Sequence, residues 1–215
     1  GINSTKNFPN LTIIDSELTM EAPESVVISS AMDTLVHCVD SFGSVKRTPM
    51  SLMYSIAGFK ETFKVLNKGN HMDIDARDNL AKGAICGITA LMNSGDGPTN
   101  GFAYYLGVNN NVPHGLAGAI FLKEVMNYNY QEKHYNEYNL LIENKDYDTK
   151  HLLFDLKTIY KQLKIPNLVP YGFKADGIEE FVNGSMNALS GSFAGNPVVF
   201  KEEAVRYIYK QLIKE

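Results

Sequence analysis

The chain has 215 residues, 44% of them hydrophobic and 20% charged, which is material for one large core or two small ones. A formal net charge of -4 argues against a general nucleic-acid binder, whose electrostatic footprint is basic. Only two cysteines occur, Cys38 and Cys86, and there is neither a signal-peptide h-region nor an apolar run near 18 residues; a cytoplasmic protein off the membrane is expected.

The first ten residues, "GINSTKNFPN", are polar and turn-rich. "LTIID" (11–15) follows, a short β-branched run typical of one strand. Beyond it nearly every segment has helical spacing. Apolar residues recur at that spacing from Val26 to Phe42. Thr48 and Pro49 make a cap-plus-first-turn start for a helix that stops at Gly69. A third helix opens on the acidic "DIDARD" and ends at Gly95, with small residues Ala84, Gly87 and Ala90 along it. A glycine- and asparagine-rich passage then runs into a helix at Pro113, with Asn111 or Val112 as its cap. Further helices are expected near 131–144, 149–164, 176–190 and 201–214. About eight helices and one strand predict an all-α domain, and a lone strand cannot form a sheet.

Asp33 and His37 stand four residues apart, so both project from one face of their helix. The pair alone also reads as an ordinary surface Asp–His contact. His114 falls in the first turn of its helix, where Gly115, Ala117, Gly118 and Ala119 keep the helix slim and let neighbours approach. Alone, His114 reads equally as a solvated or hydrogen-bonded helix-start histidine. Together, two histidines and one carboxylate suit a catalytic Zn²⁺ or Fe²⁺ site with positions open for substrate. His71, His134 and His151 lie in polar surroundings and read as solvated. "NYNYQEKHYNEYN" (127–139) lacks the basic partners that nucleic-acid stacking requires.

The order of motifs resembles the C-terminal helical domain of the iron-containing (group III) alcohol dehydrogenases, from about residue 11 to the end. The family's "D-A-L-x-H-x-x-E" helix reads "DTLVHCVD" here, and its "P-H-G-x-x-x-A-I" helix reads "PHGLAGAIF". Between them lie "ARDNLAKGAICGITALMNSG" and "TNGFAYYLG", and "GNPVVFKEEAVRYIY" is similar to the family's final turn and helix. The resemblance implies a multi-helix domain of the dehydroquinate synthase-like type and makes Asp33, His37 and His114 metal ligands. The family's remaining histidine ligand, fourteen residues before the last, corresponds to Asn100, a neutral and weaker donor. A family histidine on the substrate or nicotinamide side corresponds to Tyr104, a candidate hydrogen-bonding or relay group, although an aromatic on a helix is more often packing. "GINS" and "MDTLVHC" are also similar to the branch that oxidises the C8 hydroxyl of an eight-carbon keto-deoxy sugar, the 3-deoxy-octulosonate 8-oxidase-like proteins.

Family members bind NAD(P) on an N-terminal Rossmann-like domain with a "GGGS" phosphate loop. No such loop occurs here, and "SGDGPTNG" (94–101) follows a helix rather than a strand. Residues 1–20 are therefore expected to be a leftover strand and linker from a missing nucleotide-binding domain, and 21–215 the helical metal-binding domain. The resemblance implies a fragment of a metal-dependent, NAD(P)-linked alcohol dehydrogenase acting on an alcohol or aldehyde, a sugar included, with a homodimer among the arrangements it allows. The rival reading is a non-catalytic structural or dimerising module that has lost its complete metal site, which Asn100 and Tyr104 favour and the intact Asp33, His37 and His114 oppose.

Overall fold

Helix formation begins from caps the sequence carries. In the computed structural model, which describes residues 4–69, 72–142 and 146–214, nine α-helices form among those residues. Helix α1 spans Glu24–Gly43 and α2 spans Pro49–Lys68. At the start of α2, the Thr48 hydroxyl accepts the Ser51 N–H at 3.1 Å and the Ser51 hydroxyl accepts the Thr48 N–H at 2.8 Å, a reciprocal capping box. Gly69, at φ 72°, closes α2 as expected. Helix α3 (Ile74–Ser94) starts on Asp73, whose carboxylate accepts the Ala76 N–H at 2.7 Å, and ends at Gly95.

Helices α4 (Pro98–Asn110) and α5 (His114–Asn127) follow. The chain continues through α6 (Thr149–Gln162), α7 (Ile178–Ala188), the single turn α8 (Ser190–Phe193) and α9 (Glu202–Leu212). The all-helical class and the number of helices agree with the sequence. Among the described residues no helix is long and apolar enough to cross a membrane.

The core has two lobes divided by α5. Ala119, Leu122 and Met126 of α5 face one lobe, with Met32, Leu35, Phe42, Phe59, Leu66 and Leu156. Ala117, Ile120, Phe121 and Val125 face the other, with Phe102, Leu106, Phe181, Val205 and Tyr209. A helix with apolar residues on two opposite faces belongs between the lobes they fill. Glycine permits the crossing of α5 over α1: a Cβ at Gly115 would overlap the Ser29 carbonyl oxygen. The slimness of this helix is therefore used, and it is used beside Asp33.

Three expectations need correction. Residues 11–15 form no strand; Leu11 and Ile13 are exposed, and a short 3₁₀ turn, Ser16–Thr19, follows with the Asp15 carboxylate as its cap. An isolated strand has no ladder partner for its backbone groups, so it has no reason to persist. Within the glycine- and asparagine-rich passage after Gly95, 98–110 form helix α4, which the sequence analysis did not place. Pro113 is the N-cap of α5 and not its first helical residue; its carbonyl accepts the Ala117 N–H at 2.8 Å.

The helix expected at 131–144 is replaced by a π turn, Tyr128–Glu132, and a 3₁₀ turn, Glu137–Leu141; 143 and 144 lie outside the described residues. Here the buried amides of Asn129 and Asn196 exchange two hydrogen bonds of 2.9 Å, and Asn129 also donates to the Tyr138 hydroxyl at 2.8 Å. Satisfying those buried groups takes precedence over continuing α5. Tyr128 and Tyr138 are thus packing residues. Both cysteines are free, and burial pushes the Cys38 thiol well above its ordinary value.

Candidate metal centre

The site forms where α1, α4 and α5 converge. Asp33 and His37 lie one turn apart on α1, with the His37 Nε2 3.6 Å from Asp33 Oδ2. His114, the first residue of α5, brings its Nε2 to 3.6 Å from Asp33 Oδ1. One donor atom from each of the three residues lies within 4.8 Å of the others. Two ligands about 2.1 Å from a tetrahedral ion stand about 3.4 Å apart, close to the two 3.6 Å separations, which run to different oxygens of Asp33.

Asp33 Oδ1 gives the sharper test of fit. It is buried and has no hydrogen-bond partner. A buried carboxylate oxygen without a donor carries a desolvation cost that a cation would remove. Two imidazole nitrogens and one carboxylate suit Zn²⁺ or Fe²⁺. The residues present therefore fit a divalent transition metal.

Asn100 comes from the first turn of α4 and is 3% exposed; its Oδ1 lies 3.1 Å from His114 Nε2. That contact brings Asn100 beside His114. Tyr104, one turn further along α4, packs its ring against His114 at an interplanar angle of 51° with centroids 4.5 Å apart, and is 58% exposed. It is not part of the buried core, and its ring lies against His114. Around the cluster, the side chains of His37, Asp33 and His114 are 15%, 25% and 34% exposed, so the centre opens on one side. Burial pushes the His37 imidazole below its ordinary value; Asp33 opposes that shift and His114 adds to it. His134 and His151 are exposed, His151 bonded to Asp148 at 2.8 Å, and neither joins the site; His71 lies outside the described residues.

One participant carried no role in the sequence. Asp40, the last residue of "DTLVHCVD", is buried, and its Oδ2 accepts the Asn100 main-chain N–H at 2.8 Å. Burial pushes its carboxyl up to about 6; the Asn100 N–H opposes this and the charge of Asp96 adds to it. Its position, three residues after His37 on the ligand-bearing helix, was the available signal.

Comparison with known proteins places these residues in a wider setting. The model of the Fe-containing alcohol dehydrogenase family, C-terminal, matches residues 27–213. The 4-hydroxybutyrate dehydrogenase of Clostridium kluyveri is 25% identical over 227 aligned positions, covering 99% of this chain and 60% of that protein. Alcohol dehydrogenase 4 of Schizosaccharomyces pombe is 26% identical, covering 94% of this chain and 49% of that one. In fold, the iron-containing alcohol dehydrogenase from Thermococcus thioreducens superposes with a TM-score of 0.83 at 24% identity, over 99% of this chain and 57% of its own. The chain thus spans 60% and 49% of the lengths of the two curated relatives named.

Proposed function

The chain belongs to the Fe-containing alcohol dehydrogenase family, and on that premise we propose that it forms the metal-binding half of an NAD(P)-linked alcohol dehydrogenase. The observation that carries this reading is the convergence of Asp33, His37 and His114 around the unpartnered Asp33 Oδ1. Those three residues would hold Fe²⁺ or Zn²⁺, with the Asn100 amide oxygen as a weaker neighbour. When bound, the ion supplies Lewis acidity that makes a substrate hydroxyl easier to deprotonate near neutral pH.

The chain's own residues do the rest. Burial favours the neutral form of the His37 imidazole, which offers a lone pair. His114 and Asp33 bound the opening through which an alcohol or aldehyde, a sugar included, would enter. Tyr104 offers a hydroxyl at that mouth for a hydrogen bond to the substrate. In the whole enzyme, a nicotinamide on a nucleotide-binding domain would supply the hydride acceptor. On this reading residues 1–20 lead in from that domain, 21–215 are the helical half, the whole enzyme is cytoplasmic, and a homodimer is its simplest closed assembly.

The test is thermal unfolding of the metal-stripped protein with and without Zn²⁺. A ligand at a hundred times its Kd adds about 2.7 kcal/mol to the folded state, so the wild type gains a melting shift that His114→Ala loses. Absence of any shift in the wild type overturns the metal reading and favours the non-catalytic helical module.

A further inference from the structure

The start of α4 is capped from an unusual place. A helix N-cap ordinarily uses its own side chain to accept the N–H of the second or third helical residue. Gly97, the N-cap of α4, has no side chain, and the third N–H, that of Asn100, donates instead to Asp40 on α1. The two arrangements exclude each other: a Cβ at position 97 would come within 2.8 Å of Asp40 Cγ and 3.0 Å of its Oδ1. Glycine at the cap is what lets the remote carboxylate reach. The helix carrying Asp33 and His37 therefore also fixes the first turn of the helix carrying Asn100 and Tyr104.

We propose that Asp40 is a positioning residue of the metal centre, docking α4 onto α1 so that Asn100 is held toward the seat formed by Asp33, His37 and His114. The inference rests on the metal reading above. Asn100 joins the two contacts within one residue: its N–H is bound by Asp40 and its Oδ1 lies 3.1 Å from His114 Nε2. Asn100 is buried, so without Asp40 that N–H would be an unmet donor, and the turn would have to shift to find another partner. The loop ahead of α4 has a separate anchor, because the Ser192 hydroxyl donates to Asp96 at 2.7 Å. Losing Asp40 thus changes where α4 aims Asn100 more than whether α4 forms.

The experiment is Zn²⁺ competition against a chromophoric chelator, with metal-free melting curves alongside, for the full chain and its Asp40→Ala, Asn100→Ala, doubly substituted and His114→Ala variants. Asp40→Ala should weaken Zn²⁺ binding roughly tenfold, the usual scale for a residue supporting a ligand. In the Asn100→Ala background the same substitution should change affinity by less than about twofold, because the residue it acts through is gone. Its effect on melting temperature should be the same in both backgrounds. Asp40→Asn keeps an acceptor oxygen and should recover most of the affinity, which preserves the test if Asp40→Ala folds poorly. An equal loss of affinity in both backgrounds, or none in the first, overturns the proposal. If the wild type and His114→Ala bind Zn²⁺ alike, the metal reading itself has failed and the inference falls with it; if His114→Ala falls and Asp40→Ala does not, the centre stands and the role of Asp40 is refuted.

Discussion

Helices α1 and α4 both supply the centre, yet they are held by opposite means. Around its ligand face α1 buries Met32, Leu35, Val36, Cys38, Val39 and Phe42 almost completely. Helix α4 sinks Phe102, Ala103 and Leu106 on one side and leaves Tyr104 and Val108 exposed on the other, at 58% and 79%. Its first turn depends on a cap lent by α1. One helix is therefore a fixed base for the site and the other an adjustable wall, so changes to α1 should register in folding and changes to α4 in binding.

The largest expected contrast is in stability. Phe42→Ala should cost about 3–5 kcal/mol in urea unfolding, whereas Val108→Ala on α4 should stay within about 0.5 kcal/mol. Comparable losses would mean that the outer face of α4 belongs to the same cooperative core. A sharper contrast lies in metal affinity. His114→Ala should lose more than the roughly tenfold typical of supporting residues, and Asn100→His should bind Zn²⁺ more tightly than the wild type, since imidazole nitrogen outcompetes an amide oxygen. Chelator competition reads both, and a weaker Asn100→His protein would show that α4 does not aim this position at the ion. The smallest effect is expected at Tyr104. Replacing it by Ala removes the ring from His114 and should cost about 0.5–1 kcal/mol by thermal melting, while Tyr104→Phe keeps the ring and should change nothing measurable. A loss from Tyr104→Phe as large as that from Tyr104→Ala would give the hydroxyl, not the ring, the structural role.

This division also governs what could be read before the fold was in view. Asp33 and His37 were legible because one helical turn fixes their relation. His114 was legible through Pro113 and the glycines after it, although the helix begins one residue later than expected. Helix α4 was not. Its glycines and asparagines are poor helix formers, and what makes it a helix is Pro98 in its first turn, a cap from another helix, and burial of Phe102, Ala103 and Leu106. Asp40 stayed silent for the same reason, since its partner lies sixty positions away. The stretch from 131 to 144 misled because its helical spacing ignores Asn129, whose amide is committed to Asn196 and Tyr138, and His134, which turns the backbone at φ 57°.

The Asn129–Asn196 pair bears on how the protein ages. Asparagine deamidates when the next backbone nitrogen, having given up its proton, attacks the side-chain amide. Position 196 is followed by Pro197, whose nitrogen has no proton to give up. Asn129 is wholly buried, with its amide nitrogen and oxygen both engaged. A carboxylate in its place could only accept, and would leave the Asn196 oxygen and the Tyr138 hydroxyl without their donor. The seam joining the end of α5 to the turn before α9 is thus guarded against slow chemical wear by a ring on one side and by burial on the other.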